Sequence, residues 1–392
     1  MFSKLLHFGY ELLLLQPIPS HSHFTSCSSF FSNGLEGAMS QLAPQQVDDA
    51  GFHSRSYMAS AKPTDEVLPV VHAKKIPLPR DLNEVPPVAW PTVILSLTAV
   101  SMVITGHLAY GVFKAIDYPP ALLLISVGTY WAFTPMHDAA HRSIATKKSG
   151  MQWLNGAIGA ISSIPFAGGW LPFRFIHLEH HKYTNVPGRD PDLWAAGISD
   201  EGQSLNGWTQ YISLPFRWAT LMLHYLAWYS LRITSRPAGE AVATAIFILH
   251  AVYHYTSWLL PLPEPFKSLS VHMFWCFVIP ITIAQFILGF AFDYLPHRPS
   301  VAQDVYRGTH LLTLSQKRPE TDAAEGASYK TDNEYITMPL TLPLLYQNYH
   351  VIHHMYPWIP FYRYSPTWYR MEQQLREKGV AMKSLFPVIV KK

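Results

Sequence analysis

Between residues 88 and 113 the chain carries no Asp, Glu, Lys or Arg. At 1.5 Å of rise per residue such a helix crosses a hydrocarbon core about 30 Å thick. A short turn holding Lys114 and Asp117 and closing on Tyr118-Pro119-Pro120 follows, and a second apolar run fills 118–136. The two runs predict a helical hairpin. A second pair, 241–260 and 271–295, is joined by a Pro-rich turn with Glu264 and Lys267. The fold class expected is therefore an all-α integral membrane protein with four transmembrane helices in two hairpins.

Only 14% of the 392 residues are charged, against about 25% in soluble domains. The formal charge of +3, from 29 Lys and Arg against 26 Asp and Glu, is too small and too dispersed for nucleic acid as a partner. Cys27 and Cys276 are the two cysteines, which rules out a disulfide framework or a thiolate metal site.

Loop charge orients the spans. The segment between the hairpins holds Arg142, Lys147, Lys148, Arg174, Lys182, Arg189, Arg217, Arg232 and Arg236, whereas each short turn has one Lys. By the positive-inside rule the middle segment, the leader and the tail are cytosolic. Within that segment, 153–171 and 208–231 are apolar but broken by Gly, Pro or Arg, as suits interfacial helices beneath a His-rich cytosolic cap. Residues 1–85, rich in Ser, Pro, Gln and His, read as a disordered leader or targeting segment, and 86–392 as the membrane domain. The charged stretch 316–334 reads as an exposed loop.

Twenty histidines are present, and three clusters stand out: His137 and His141; His177, His180 and His181; His350, His353 and His354. Spacings of three and four put side chains on one helix face, so each cluster is expected to aim its imidazoles at one point. The pattern His-x-x-His-His is expected about 0.05 times by chance in such a chain, and it occurs twice. Interfacial histidines with ordinary partners account poorly for eight such residues near apolar spans. A structural zinc site takes four ligands, so eight imidazoles imply two ions. Neutral nitrogen ligands without thiolates suit a redox metal such as iron rather than calcium or magnesium. Placement at the membrane boundary suggests a lipid substrate.

The order of these three boxes, with hairpin spans between the second and third, resembles the membrane-bound fatty acid desaturase superfamily. The resemblance covers roughly residues 88–366. Local context agrees: Tyr183-Thr184-Asn185 and Asp190-Pro191-Asp192 follow box two, and Gln347-Asn348-Tyr349 precedes box three. The phrases Tyr349-His350-Val351-Ile352-His353-His354 and Phe292-Asp293-Tyr294-Leu295-Pro296-His297 look like the subgroup with cyanobacterial-type β-carotene hydroxylases. The resemblance implies a non-haem diiron centre with two iron ions, dioxygen as co-substrate and a separate electron donor such as cytochrome b5 or ferredoxin. It implies an oxidoreductase that introduces a double bond into an acyl chain, with hydroxylation of a carotenoid or other lipid as the alternative. A non-catalytic membrane metal-binding protein is the alternative of another class. The membrane expected is the endoplasmic reticulum, with the plastid as the second choice.

His297, after the fourth span, falls near where desaturases place an additional ligand, and is carried as a ninth. His310 lacks a metal spacing, and His250 with His254 read as packing residues inside a span. Asp138, Asn185, Asp190 and Asn348 are expected to support the site by orienting ligating imidazoles. Trp131, Trp153, Trp170 and Trp194 are weighed as tunnel walls against interface anchors.

Overall fold

The computed structural model describes residues 74–166, 169–205, 207–230, 249, 256–297, 302–315 and 339–386. Its described residues are mostly helical. α1 is Trp90–His107, continued by a π-helical turn, Leu108–Val112, and α2 is Tyr118–Ala140. Pro91 and Pro119 stand in the first turns, where the missing N–H has no helical acceptor to lose. α3 is Trp153–Ser163, α4 Trp170–Lys182, α5 Thr209–Ala219 and α6 Leu221–Ser230. α7 runs over Phe266–His297 and includes two π-helical turns, Phe274–Val278 and Gly289–Tyr294. α8 is His350–Met355 and α9 Tyr364–Glu377. Two of the helices, Trp90–Val112 and Phe266–His297, are long and apolar enough to cross a membrane.

The first hairpin forms as expected, and α2 continues four residues beyond the expected span, so box one sits on its last turn. At Gly128 the two backbones come close: a Cβ there would lie 2.7 Å from the Ala99 carbonyl oxygen and 2.9 Å from Val103 Cγ2. Gly128→Val should therefore force the helices apart at a cost of about 1–3 kcal/mol, read as a lowered midpoint of thermal unfolding in detergent. The expected third span, 241–260, with His250 and His254, lies almost wholly outside the described residues, as does the loop 316–334. The fourth is the C-terminal part of α7.

The two broken apolar segments are pairs of short helices. In α5 the core side carries Leu214 and Trp218, while Trp208, Tyr211, Ile212 and Phe216 on and beside the other face are each at least 65% exposed. An aromatic, outward-facing stripe of that kind is what an interfacial helix presents to lipid.

Two features depart from the all-helical, leader-plus-domain expectation. β1, His310–Ser315, pairs in parallel with β2, Ala381–Phe386, His310 opposite Ala381. Parallel strands need a long crossover, and this crossover contains box three. Residues 74–85, expected within the leader, pack on the C-terminal body through Ile76, Leu78 and Val85. Tyr356 donates to the Ile76 carbonyl and Arg363 to those of Leu82 and Glu84, so buried apolar contacts and backbone hydrogen bonds together order the segment. Beneath the site, Tyr349, Ile352, Met355, Tyr364 and Trp368 form a fully buried core.

Candidate metal centre

Four helix ends converge. α2 presents His137 and His141, α4 presents His177, His180 and His181, α8 presents His350, His353 and His354, and His297 closes α7. All nine expected histidines fall into two groups. His137, His141, His177, His181 and His353 bring one ring nitrogen each within 4.8 Å of one another, and His180, His297, His350 and His354 do the same.

This division corrects the expectation that each cluster aims at one point. On a helix the i and i+4 residues share a face, whereas adjacent residues diverge by about 100°. His177 and His181 therefore face the five-histidine group and His180 the other. In box three His350 and His354 face the four-histidine group and His353 crosses to the five. Each triplet serves both groups, two residues to one and one to the other.

Within each group the Nε2 atoms turn inward. His141 and His177 approach to 2.7 Å, as do His181 and His353. His180 and His354 stand 3.2 Å apart, and His350 lies 3.1 Å from both His297 and His354. Two imidazoles bound at right angles to one ion, with metal–nitrogen distances of about 2.1 Å, stand about 3 Å apart. Both ring nitrogens of His137 are buried without a hydrogen-bond partner, and the Nδ1 atoms of His297 and His350 likewise. Buried polar atoms are normally satisfied. Converging Nε2 lone pairs in both groups, joined in the five-histidine group by the unpartnered nitrogens of His137, thus fit a metal ion in each.

Electrostatics favour the neutral, ligating form at most of these histidines. Burial, reinforced by neighbouring imidazoles, holds His141, His177, His181, His350, His353 and His354 well below the ordinary histidine value, so each is neutral and has a lone pair to give. Burial also opposes charge on His180, but the Asp190 and Asp192 carboxylates outweigh it and raise this imidazole to about 9.

Of the four expected supporting residues, Asp190 orients an imidazole directly. Its Oδ1 accepts from His180 Nδ1 at 2.8 Å and from the Asp192 amide at 2.9 Å, and its Oδ2 accepts from the Asn185 amide at 2.7 Å. Asn185 acts one step away. At φ 61° it closes the turn after α4, and its side chain donates to the carbonyls of Ala302 and Gly308. Asp138 does not orient His137, whose Nδ1 is 3.9 Å away. Its Oδ2 instead accepts from Thr92 and from the Phe361 amide, because α1 and the chain after α8 bring those donors closer. Asn348 donates to Thr341 rather than touching an imidazole.

Several partners escaped the sequence reading. Tyr364 pairs with His353 Nδ1 at 2.9 Å, and the Thr184 hydroxyl lies 3.4 Å from His354 Nδ1. Asp192, a carboxylate anticipated from its place after box two, comes within 3.2 Å of His180 Nδ1, and the unanticipated Tyr225 donates to it at 2.7 Å. A lone Tyr on another helix has no spacing to betray it. His310 lies outside both groups and bonds the Pro296 carbonyl through Nδ1.

A cavity of about 60 Å³ adjoins the centre. His137, His177, His180 and His350 form part of its wall, and Phe133, Met136, Phe166, Phe173, Ile176, Leu221, Met222, Leu288 and Phe292 most of the rest. None of the four weighed tryptophans lines it. Trp194 stacks on His224 instead, with ring centroids 4.4 Å apart, and Trp153 is mostly exposed.

Fold and site together define a mostly helical protein built around paired, nitrogen-only metal-binding clusters beside an apolar cavity. Residues 116–386 match the fatty acid desaturase family, and the chain belongs to it. That family comprises oxidoreductases. Among similar proteins, the sn-1 oleoyl-lipid 12-desaturase of Picosynechococcus sp. is 32% identical over 125 residues, 30% of this chain and 32% of the relative. The chloroplastic omega-6 fatty acid desaturase of Glycine max is 30% identical over 162 residues, 39% and 35% of the two chains. The dihydrorhizobitoxine desaturase of Bradyrhizobium elkanii is 28% identical over 260 residues, 62% and 65%. The first two alignments span about a third of each relative's length, and the third just under two thirds.

Proposed function

We propose that the protein is a membrane-bound diiron lipid desaturase, which removes two hydrogens from an acyl chain to leave a double bond. The observation that carries this reading is the pair of imidazole groups walled into an apolar cavity. His137, His141, His177, His181 and His353 would hold one iron and His180, His297, His350 and His354 the other. Two such ions would supply the oxygen activation that breaks an unactivated carbon–hydrogen bond, with dioxygen as co-substrate and electrons from a separate carrier such as cytochrome b5 or ferredoxin.

The chain's own groups set the stage for this chemistry. With Nδ1 donating to Asp190, His180 aims Nε2 inward, where an ion would displace the second proton that the neighbouring carboxylates favour. Tyr364 likewise holds His353 through Nδ1. Phe133, Phe173, Leu288 and Phe292 hold a hydrocarbon chain against the imidazoles and keep bulk water from it. The setting is a four-span, two-hairpin topology in an endoplasmic reticulum or plastid membrane, with the histidine centre on the cytosolic or stromal side. The apolar helices Trp90–Val112 and Phe266–His297 support it, as does the chloroplastic location in the name of the soybean relative.

Expression in a host containing both acyl lipids and carotenoids tests the reaction. The expected product is an acyl chain lighter by two hydrogens, with no oxygen retained from labelled dioxygen. Labelled oxygen in a carotenoid product, beside an unchanged acyl profile, would make the protein a hydroxylase instead.

A further inference from the structure

Apart from the four histidines of its wall, and from Asp192, Tyr225 and Asp293, which are joined through the Tyr225 hydroxyl, one further polar side chain lines the apolar cavity. Gln285, on α7, lines the cavity and is 2% exposed, and neither its Oε1 nor its Nε2 has a hydrogen-bond partner. It shares one face of the helix with Leu288 and Phe292, three and seven residues on, which line the same cavity. A primary amide left unpaired in apolar surroundings loses its hydrogen bonds to water and gains nothing in return. Inside a helix apolar enough to span a membrane, neighbouring lipid offers no replacement. A leucine would fill the site without that penalty.

We propose that Gln285 is a polar subsite for the substrate, recognising a group that both donates and accepts a hydrogen bond, a hydroxyl or an amide, on the chain that fills the cavity. The pairing follows from the amide itself. Its Nε2 needs an acceptor and its Oε1 a donor, so an ester carbonyl, which only accepts, leaves half of it unsatisfied. A hydroxyl or an amide satisfies both. Gln285 lines the same cavity as His137, His177, His180 and His350, so the recognised group sits on the part of the chain held beside the imidazoles. The subsite would select among lipids by that group, and register the chain against the metals by anchoring it at a second point. This inference rests on the acyl-chain reading above and narrows it to chains bearing such a group.

Binding tests it with the purified protein in detergent, by competition against a radiolabelled palmitoyl chain. The probes are hexadecanol and palmitamide, which donate and accept, hexadecyl methyl ether, which only accepts, and hexadecane, which does neither. The wild type is expected to bind hexadecanol and palmitamide about tenfold more tightly than hexadecane, with the ether in between. In Gln285→Leu and the near-isosteric Gln285→Met the four probes should agree within about twofold, hexadecane binding being retained as the sign of an intact cavity. Equal binding of hexadecanol and its ether by the wild type overturns the proposal and leaves the amide paired with trapped water only. A preference that survives in both variants places the polar contact elsewhere and overturns it too. Failure of every probe to compete, hexadecane included, would remove the acyl-chain reading along with it.

Discussion

His353→Ala is expected to abolish desaturation and to lower bound iron by about one ion per chain, from the roughly two that nine imidazoles require. His353 is the one residue that box three sends to the five-histidine group. Its loss leaves Tyr364 without a partner and takes the imidazole 2.7 Å from His181 out of the group. His180→Ala should mirror this on the other side, since His180 is box two's sole contribution to the four-histidine group. His310→Ala is the control: it is buried and lies close in sequence to the same elements, but it bonds a carbonyl and should keep its iron. Metal analysis on detergent-purified protein, with product assay in parallel, reads both effects. Stoichiometric zinc with full activity, or unchanged iron in both alanine variants, would overturn the ligand assignment.

Asp190→Ala is expected to have the second-largest effect, although Asp190 touches no metal. One carboxylate accepts from His180 Nδ1 and from the amides of Asn185 and Asp192, so its removal strands two buried amides at roughly 1–3 kcal/mol each and leaves His180 Nδ1 with the longer Asp192 contact at 3.2 Å. It also frees His180 to rotate and to change tautomer, for which a loss of about 10–100-fold in metal affinity is usual. Asp190→Asn should recover part of the stability, because its carbonyl still accepts, but less of the metal affinity, because the charge that favours His180 is gone. The same iron analysis with thermal unfolding separates the two losses. An Asp190→Ala protein that unfolds at the wild-type midpoint and keeps its iron would show that the carboxylate merely fills space.

What could be read from the residues beforehand followed from local periodicity. The eight box histidines announce themselves because helical spacing repeats them, and the first hairpin because charge is missing from two adjacent runs. His297 was legible from its place after a span, with no repeat to mark it. The splitting of each triplet between two groups was already contained in the 100° step of the helix, yet three histidines within five positions look like one face until the opposing helices are in place. Tyr364, Tyr225 and Gln285 were not legible at all. Each is a single side chain whose meaning comes from a contact or cavity assembled from distant segments: Tyr225 with Asp192, Gln285 with Leu221 and Met222. The π-helical turn Gly289–Tyr294, which adds a residue to the stretch carrying Asp293 just before His297, likewise leaves no mark on a hydropathy profile. β1 hides because its partner is more than sixty residues further along.

The exchange of residues between the boxes has a consequence for how the protein is made. Neither group is complete without the last triplet: the five-histidine group lacks His353, and the four-histidine group lacks His350 and His354, until that part of the chain has left the ribosome. Tyr364 and the parallel partner of β1 arrive later still. A nascent chain holding only the first two boxes would present five imidazoles in the wrong company, with no finished cradle for either ion. On the proposed diiron reading, metal loading would be a late event in biogenesis, and chains stalled before residue 350 should leave the membrane as apoprotein for the quality-control proteases to collect.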